Sequence, residues 1–426
     1  MDRILYDTIR SMNEKCKARF CMPAHSGMGT SDDIYASAKF DWTEVPRLDN
    51  LLQCENTIKF CEESIAQSMG YASALMLTQG STCGMHIAVC VCKDKGKSLV
   101  AIGGMHKSFF SACRLYGAEA IVLDSPLDLL KLDLNRLNIG GIFITSPDYF
   151  GNCQDLTFVR QFADKIHSYL VVDEAHASHF AYSKLLPDNA KAYADISLMS
   201  MHKTLPVYGG GAIFCLKDKA LRESCERYRA LIHSTSPNYL TMASMDYANS
   251  YMCENGEKVY ADVKKKILEF SQKLKVGEIV KNDDFTRLVI KINGKDAYSA
   301  LQELAKRGVY VEMAKDDLLV CIVTPFNCDL LSILAEELNN MRFESLGEEE
   351  KTQTVEHIYD YTQGEVEYVE LEDCVGRMSA EDVGVYPPGI PTVFRGEIIQ
   401  QSAATYLKKY RNRLFGLASG RIGVIK

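Results

Sequence analysis

The chain is predicted to be an α/β protein built on a mostly parallel sheet, and three observations predict it. Short apolar runs alternate with amphipathic stretches in β-α-β order, the pattern that parallel sheets require. Polar and titratable residues collect at the carboxyl ends of those runs, where ligands of such sheets bind. After residue 280 a fresh strand-helix pattern adds a smaller α+β region. With 426 residues the chain exceeds what one growing core can hold, so more than one domain is expected. The expected division is an N-terminal arm over 1–50, a large α/β domain over 51–270 and a small α+β domain over 271–426.

Composition narrows the class. Apolar residues make up 47% and charged residues 24%, as in soluble globular proteins. The net charge of −8, with no basic block, argues against nucleic acid as a partner. The opening MDRILYDTIRSMNEKCK is charged from its second residue and reads as a helix, not as a secretion signal. No apolar run is long enough to cross a bilayer. The 15 cysteines are irregularly spaced, with no CxxC and no zinc-ligand spacing, so no metal is expected and reduced thiols in the cytoplasm are.

Taken in order, residues 1–50 give a short helix, then CMPAHSGMGTSDD and FDWTEVPRLDN, a long non-repetitive arm that must pack on something else. Its His25 and Asp41 are either capping and turn residues or visitors to an active site. Leu51–Gly70 reads as a helix and Ala72–Thr78 as a buried strand. The turn QGST follows, opening a helix. Strand, glycine turn, hydroxyls and helix form a cup for phosphate, with Gly80, Ser81 and Thr82 at its lip. The same hydroxyls also serve as ordinary helix caps.

The alternation continues through KSLVAIG, a helix over Lys107–Tyr116, EAIVLD, GGIFITSP, a helix over Leu156–Ser168 and the strand LVVDEAHASHF. A strand ISLMS then ends in Ser200, His202 and Lys203, and AIFCLKD follows a glycine-rich turn. Strand ends thus carry Ser81, Thr82, His106, Asp173, His176, Ser200, His202 and Lys203. No GxGxxG fingerprint is present, which disfavours a dinucleotide. A lysine amine, a carboxylate one strand away and donors for an anion suit pyridoxal phosphate. The plainer reading is two core strands with polar ends and a surface lysine.

His233–Ala248 reads as a loop, exposing Ser236 and Tyr239, before a long helix to about Leu274. Strands and helices over TRLVIKI, AYSALQELAKRG, VYVEMAKDD, LLVCIVT and CDLLSILAEELNNM form the second unit. In YPPGIP (Tyr386–Pro391) three prolines fix φ and remove donors, so it must be extended and cannot be a central strand.

FDWTEVPRLDNL, LTQGST, GMHKS, TSPDYFG, VVDEAHASHF, SMHKTLP, STSPNYLTMASMD and YPPGIP, in this order, resemble the pyridoxal-phosphate-dependent ornithine/lysine/arginine decarboxylase family. The fold implied is fold type I, that of aspartate aminotransferase, with a seven-stranded-type sheet; the closest likeness is to short members without an N-terminal wing domain. The resemblance implies that Lys203 holds the cofactor as a Schiff base, Asp173 pairs with its ring nitrogen and His106 stacks on the ring. It further implies that Gly80, Ser81, Thr82, Ser200 and His202 hold the phosphate, that His176 lies beside the ring, and that Ser236 closes the site of a neighbouring subunit in a homodimer. Lys203 or His106 would return a proton to Cα. The implied reaction is decarboxylation of lysine, arginine or ornithine in polyamine biosynthesis. Two departures stand out: Ala24 and Ser26 flank His25 where relatives carry glycine and lysine, and Arg47 replaces a glycine. Other fold type I reactions remain open, since Arg307, Arg377 and Arg421 are available to clamp a substrate carboxylate. A non-catalytic cofactor-binding regulator is the third reading.

Overall fold

The computed structural model describes residues 2–15, 36–345, 357–358, 364–386 and 389–426. His25 and the AHSG segment lie outside them, as do Pro387 and Pro388. The elements begin with α1 (Ile4–Lys15), α2 (Thr57–Met69), β1 (Ser73–Leu77), α3 (Gly80–Lys95), β2 (Ser98–Ile102), α4 (Lys107–Tyr116) and β3 (Glu119–Leu123). They continue with β4 (Ile139–Thr145), α5 (Thr157–Lys165), β5 (Tyr169–Asp173), β6 (Ile196–Met199), the short α6 (Met201–Thr204), β7 (Ala212–Leu216), α7 (Arg222–Ile232) and α8 (Tyr239–Lys273). The second pattern gives β8 (Glu278–Ile279), β9 (Arg287–Lys291), α9 (Ala297–Lys306), β10 (Met313–Lys315), β11 (Leu318–Ile322) and α10 (Leu331–Asn339). Last come β12 (His357–Ile358), β13 (Val366–Val369), β14 (Met378–Ser379), β15 (Val383–Val385), β16 (Ile390–Val393), α11 (Gln401–Lys409), β17 (Leu414–Phe415), β18 (Leu417–Ala418) and β19 (Arg421–Ile425).

These elements form two compact bodies. The first comprises Met1–Ala88, Ser146–Leu156 and Val171–Leu346, the second Val89–Thr145, Thr157–Leu170 and Gly347–Lys426.

In the first body the strands run β1-β7-β6-β5. β5 and β6 are parallel, whereas β7 is antiparallel to both β6 and β1. The chain between β6 and β7 holds only α6 and a glycine-rich turn, too little for the crossover that a parallel strand needs, so β7 must double back. All five residues of β1 and of β7 are buried, which explains their unbroken apolar runs. A second, antiparallel sheet of order β10-β11-β9-β8 lies in the same body. Helix α1 is anchored rather than loose: Leu5 and Ile9 are fully buried, and Asp246 of α8 accepts from the Tyr6 N–H at 3.1 Å.

In the second body β2 pairs in parallel with both β3 and β4, and β12 joins β3 antiparallel. Smaller sheets of order β13-β19-β14 and β16-β15-β17 follow. The proline-bearing β16 is an edge strand, as missing N–H donors require.

Two helix starts differ from the sequence reading by several residues. Helix α2 starts at Thr57, not Leu51, because the Asp49 carboxylate takes the N–H groups of Glu55, Asn56 and Ile58 at 2.8–3.2 Å and organises the preceding residues as a turn. Helix α8 starts at Tyr239, inside the stretch read as loop, with Asn238 Oδ1 accepting from the Thr241 N–H at 2.8 Å as its cap. Tyr239 is consequently buried, not exposed, and its hydroxyl donates to the Asp49 carbonyl at 2.6 Å.

Arg47 has φ 83°. A side chain in that left-handed region costs about 1–2 kcal/mol, whereas glycine adopts it freely. Arg47→Gly should therefore raise stability by about 1 kcal/mol, read as a higher urea midpoint. A lowered midpoint would mean that the arginine side chain contributes more than its backbone strain removes.

Candidate active site

The site grows from the end of β5. Side chains alternate along a strand, so Asp173 and the following Glu174 leave it in opposite directions. Both are buried. Glu174 Oε1 accepts from the Ala190 N–H at 2.8 Å, and Oε2 accepts from Ser197 Oγ at 2.5 Å. The Tyr71 hydroxyl lies 3.1 Å from the same Oε2 and 2.7 Å from Ser197 Oγ. Asp173 receives the Ala175 N–H at 3.1 Å. Burial pushes its pKa above the ordinary carboxylate value, and the charge of Lys203 opposes that shift.

Lys203 sits on α6, directly after β6, with its Nζ 3.4 Å from His176 Nε2. Burial pulls its pKa below the ordinary amine value; Asp173 opposes this, while Arg287 adds to it. The other ring nitrogen of His176, Nδ1, is 2.9 Å from Arg287 Nη2, and the Tyr149 ring meets the imidazole edge-on with centroids 4.6 Å apart. The Tyr149 hydroxyl in turn donates to Glu312 at 2.7 Å.

The residues expected to form a phosphate cup are linked by hydrogen bonds. Gly80 opens α3 at φ 74°, and its N–H donates to the Gly210 carbonyl at 2.7 Å. A Cβ on Gly210 would stand 2.7 Å from the Thr78 carbonyl, so this turn approaches too closely for any side chain. Ser200 Oγ donates to Ser81 Oγ at 2.7 Å, joining the two strand ends. Thr82 is exposed in the same first turn of α3, where backbone N–H groups lack intrahelical partners. His202 is held by a 2.9 Å hydrogen bond from Nδ1 to the Gly211 carbonyl. His233 Nε2 accepts from the Thr78 N–H at 3.1 Å and so fixes the strand end from which the cup springs. Ser236 is exposed, with its N–H donating to Ser234 Oγ at 3.1 Å.

His106 belongs to the second body. It caps α4, its Nδ1 accepting from the Ser108 N–H at 3.2 Å. Gly389 of the YPPGIP segment abuts the ring so closely that a Cβ there would lie 3.1 Å from Cδ2 and Nε2.

Sequence reading missed Arg287. It is only 1% exposed, begins the apolar strand β9 and is one of the largest fully buried side chains. The signal in the sequence is an arginine opening the strand RLVIK, ahead of three buried apolar residues. The arginines singled out instead are occupied or exposed: Arg307 pairs with Glu303 and Glu337 at 3.1 and 3.2 Å, Arg377 with Glu367, and Arg421 lies on the surface.

Comparison with known proteins places the chain in a family. The model of the Orn/Lys/Arg decarboxylase major domain matches residues 135–320, and that of the Orn/Lys/Arg decarboxylase C-terminal domain matches 336–415. The chain belongs to the Orn/Lys/Arg decarboxylase family. It is 28% identical to the Uncharacterized protein YaaO of Bacillus subtilis, over 96% of this chain and 94% of the relative. It is 27% identical to an arginine decarboxylase of Halalkalibacterium halodurans, over 92% and 90% of the two chains. Its fold is similar to that of the Francisella novicida lysine decarboxylase LdcF, with a TM-score of 0.79 at 16% identity, covering 100% of this chain and 81% of that one.

The decarboxylase fold is thus fold type I, and the enzymes of this family depend on pyridoxal phosphate. The donor set fits that group: a half-buried amine, a buried carboxylate with unused acceptor capacity, and hydroxyls at a helix start. Among the described residues no helix is long and apolar enough to cross a membrane.

Glu174, next to Asp173 in the chain, has a measurable signature. Burial pushes its pKa from 4.5 to about 7, against the hydrogen bonds from Ser197, Ala190 and Tyr71. The folded chain then holds this proton more tightly than the unfolded one. Its contribution to stability is present below about pH 4.5 and is lost as pH rises through about 7. Glu174→Gln should flatten the fall in urea midpoint over that window. An unchanged slope would assign the titration to another group.

Proposed function

We propose that this protein decarboxylates a basic amino acid (lysine, arginine or ornithine), releasing CO₂ and the corresponding amine for polyamine synthesis in the cytoplasm. The observation that carries the reading is the half-buried Lys203 amine, 3.4 Å from the His176 imidazole and within the electrostatic reach of Asp173. When bound, pyridoxal phosphate supplies the electron sink for the pair of electrons left on Cα as CO₂ departs.

The protein's part is to hold, orient and protonate. Lys203 would hold the cofactor through its amine, which burial keeps nucleophilic. Asp173 would face the pyridine nitrogen and favour its protonated form, because a nearby carboxylate stabilises a cation. Gly80, Ser81, Thr82, Ser200 and His202 would hold the phosphate, and His106 would lie against the ring. Lys203 or His106 would then deliver the proton to Cα. Arg307 and Arg377 are engaged by carboxylates and so are not free to clamp a substrate carboxylate.

Two experiments test this. Purified protein incubated with each basic amino acid should release CO₂ and amine from one of them. Borohydride reduction followed by peptide mapping should place the cofactor on Lys203. Release of a keto acid instead, or a label on another lysine, would overturn the reading.

A homodimer is the proposed minimal unit, with Ser236 completing the partner's site. The exposed Ser236 sits in a polar loop, whereas Tyr239 is committed to Asp49 and plays no part. Mixing a Lys203→Ala chain with a Ser236→Trp chain should restore up to about a quarter of wild-type activity, since about half the dimers are mixed and each holds one intact site. Subunit exchange without recovery would show that each chain builds its site alone.

A further inference from the structure

Arg287 has no role in the assignment above, yet it is buried against the residues at its centre. Its Nη2 is 2.9 Å from His176 Nδ1, and its Nη1 is buried without a hydrogen-bond partner. A guanidinium carries donors only. His176 Nδ1 must therefore present its lone pair, and a neutral ring then carries its single proton on Nε2. That nitrogen is the one 3.4 Å from Lys203 Nζ. An Nε2–H can be accepted only by an amine lone pair, so the contact is a hydrogen bond only when Lys203 is uncharged. A charged Lys203 would need a bare Nε2, which the ring can offer only with its proton on Nδ1, opposite the N–H of Arg287.

We propose that Arg287 is a positioning residue that locks His176 in its Nε2–H tautomer and so holds the Lys203 amine in its neutral, nucleophilic form. The consequence for catalysis rests on Lys203 being the cofactor lysine; the tautomer does not. No covalent bond is made or broken: Lys203 gives one proton to solvent, and its lone pair accepts the hydrogen of Nε2. The charged and titratable groups facing Lys203 are Asp173 from β5, His176, Arg287 from β9 and Glu312 ahead of β10. Glu312 accepts from Tyr149, whose ring meets His176 edge-on. Burial, the largest influence on the Lys203 amine, acts in the same direction as the lock, and Asp173 acts against both.

A plain brace between β9 and the loop after β5 would use the same contact without caring where the imidazole proton sits. Two measurements on the full-length, cofactor-free protein separate the alternatives. In ¹⁵N-histidine-labelled protein, with His176 assigned through loss of its signals in His176→Gln, long-range ¹H–¹⁵N correlations should show the proton on Nε2. A proton on Nδ1, or on both nitrogens, overturns the proposal. This reading needs no Arg287 variant and stands should one fail to fold.

The second measurement is the pH dependence of trace acetylation of Lys203 by acetic anhydride, followed by mass spectrometry of its peptide. Arg287→Met removes both a charge and the lock, so the midpoint should rise by about one pH unit. In a His176→Phe background only the charge remains to be lost, and the rise should shrink to less than half. Equal shifts in the two backgrounds would reduce Arg287 to a distant charge and overturn the lock. A borohydride label on another lysine would remove Lys203 from the chemistry while leaving the tautomer result standing, so the two failures are distinguishable.

Discussion

Two adjacent carboxylates buried at the end of one strand are the constraint around which the first body is arranged. Asp173 and Glu174 cannot share a set of donors, because the strand sends them to opposite sides. Glu174 is met by a backbone N–H and the Ser197–Tyr71 hydroxyl pair, which satisfies it as structure. Asp173 is met by one N–H and by the charge of Lys203. Neighbouring residues of the same chemistry thus acquire different surroundings, one satisfied as a brace and the other, in the proposed function, an acceptor for a cationic ligand atom.

Lys203 inherits its position from that same asymmetry. The chain leaves β6 on the side of Asp173 and makes a single helical turn, so Ser200, His202 and Lys203 are presented within four residues. The return through Gly210 to β7 is close enough to the Thr78 carbonyl to exclude a side chain, which keeps the lysine turn and the cup at Gly80 together. An ammonium in this setting costs desolvation that one carboxylate offsets only in part. The lowered amine basicity is a product of packing, with Asp173 restraining it and Arg287 enlarging it.

Much of this was legible in the sequence, for physical reasons that also explain what was not. Strands buried on both faces leave continuous apolar runs, so β1, β2, β5, β6 and β7 stood out, with the polar residues at their ends. Residues that act through distant partners left no local mark. Asp49 displaces the start of α2 with its carboxylate from outside the helix, and Asn238 starts α8 within a stretch whose serines and proline suggest a loop. Tyr239 looks like a surface residue until its hydroxyl finds the Asp49 carbonyl. Arg287 is hidden for the opposite reason: it opens an apolar strand, and only the folded chain brings it to His176.

The second body positions His106 with almost no side-chain chemistry. Gly389 adopts φ 83°, which an L residue resists, and its carbonyl accepts the Lys107 N–H at 2.9 Å. Its missing Cβ leaves the space in which the His106 ring stands, and Ile390 fills the hollow over Gly104, where a Cβ would lie 2.8 Å away. On the other side of the ring's backbone, Ser108 gives its N–H to Nδ1. The imidazole is thereby fixed from α4 and from the tail together, by backbone and by absent methyl groups. Gly389 and Ile390 are then intelligible as a backstop for one histidine, because a Cβ at 389 would press on the ring from 3.1 Å.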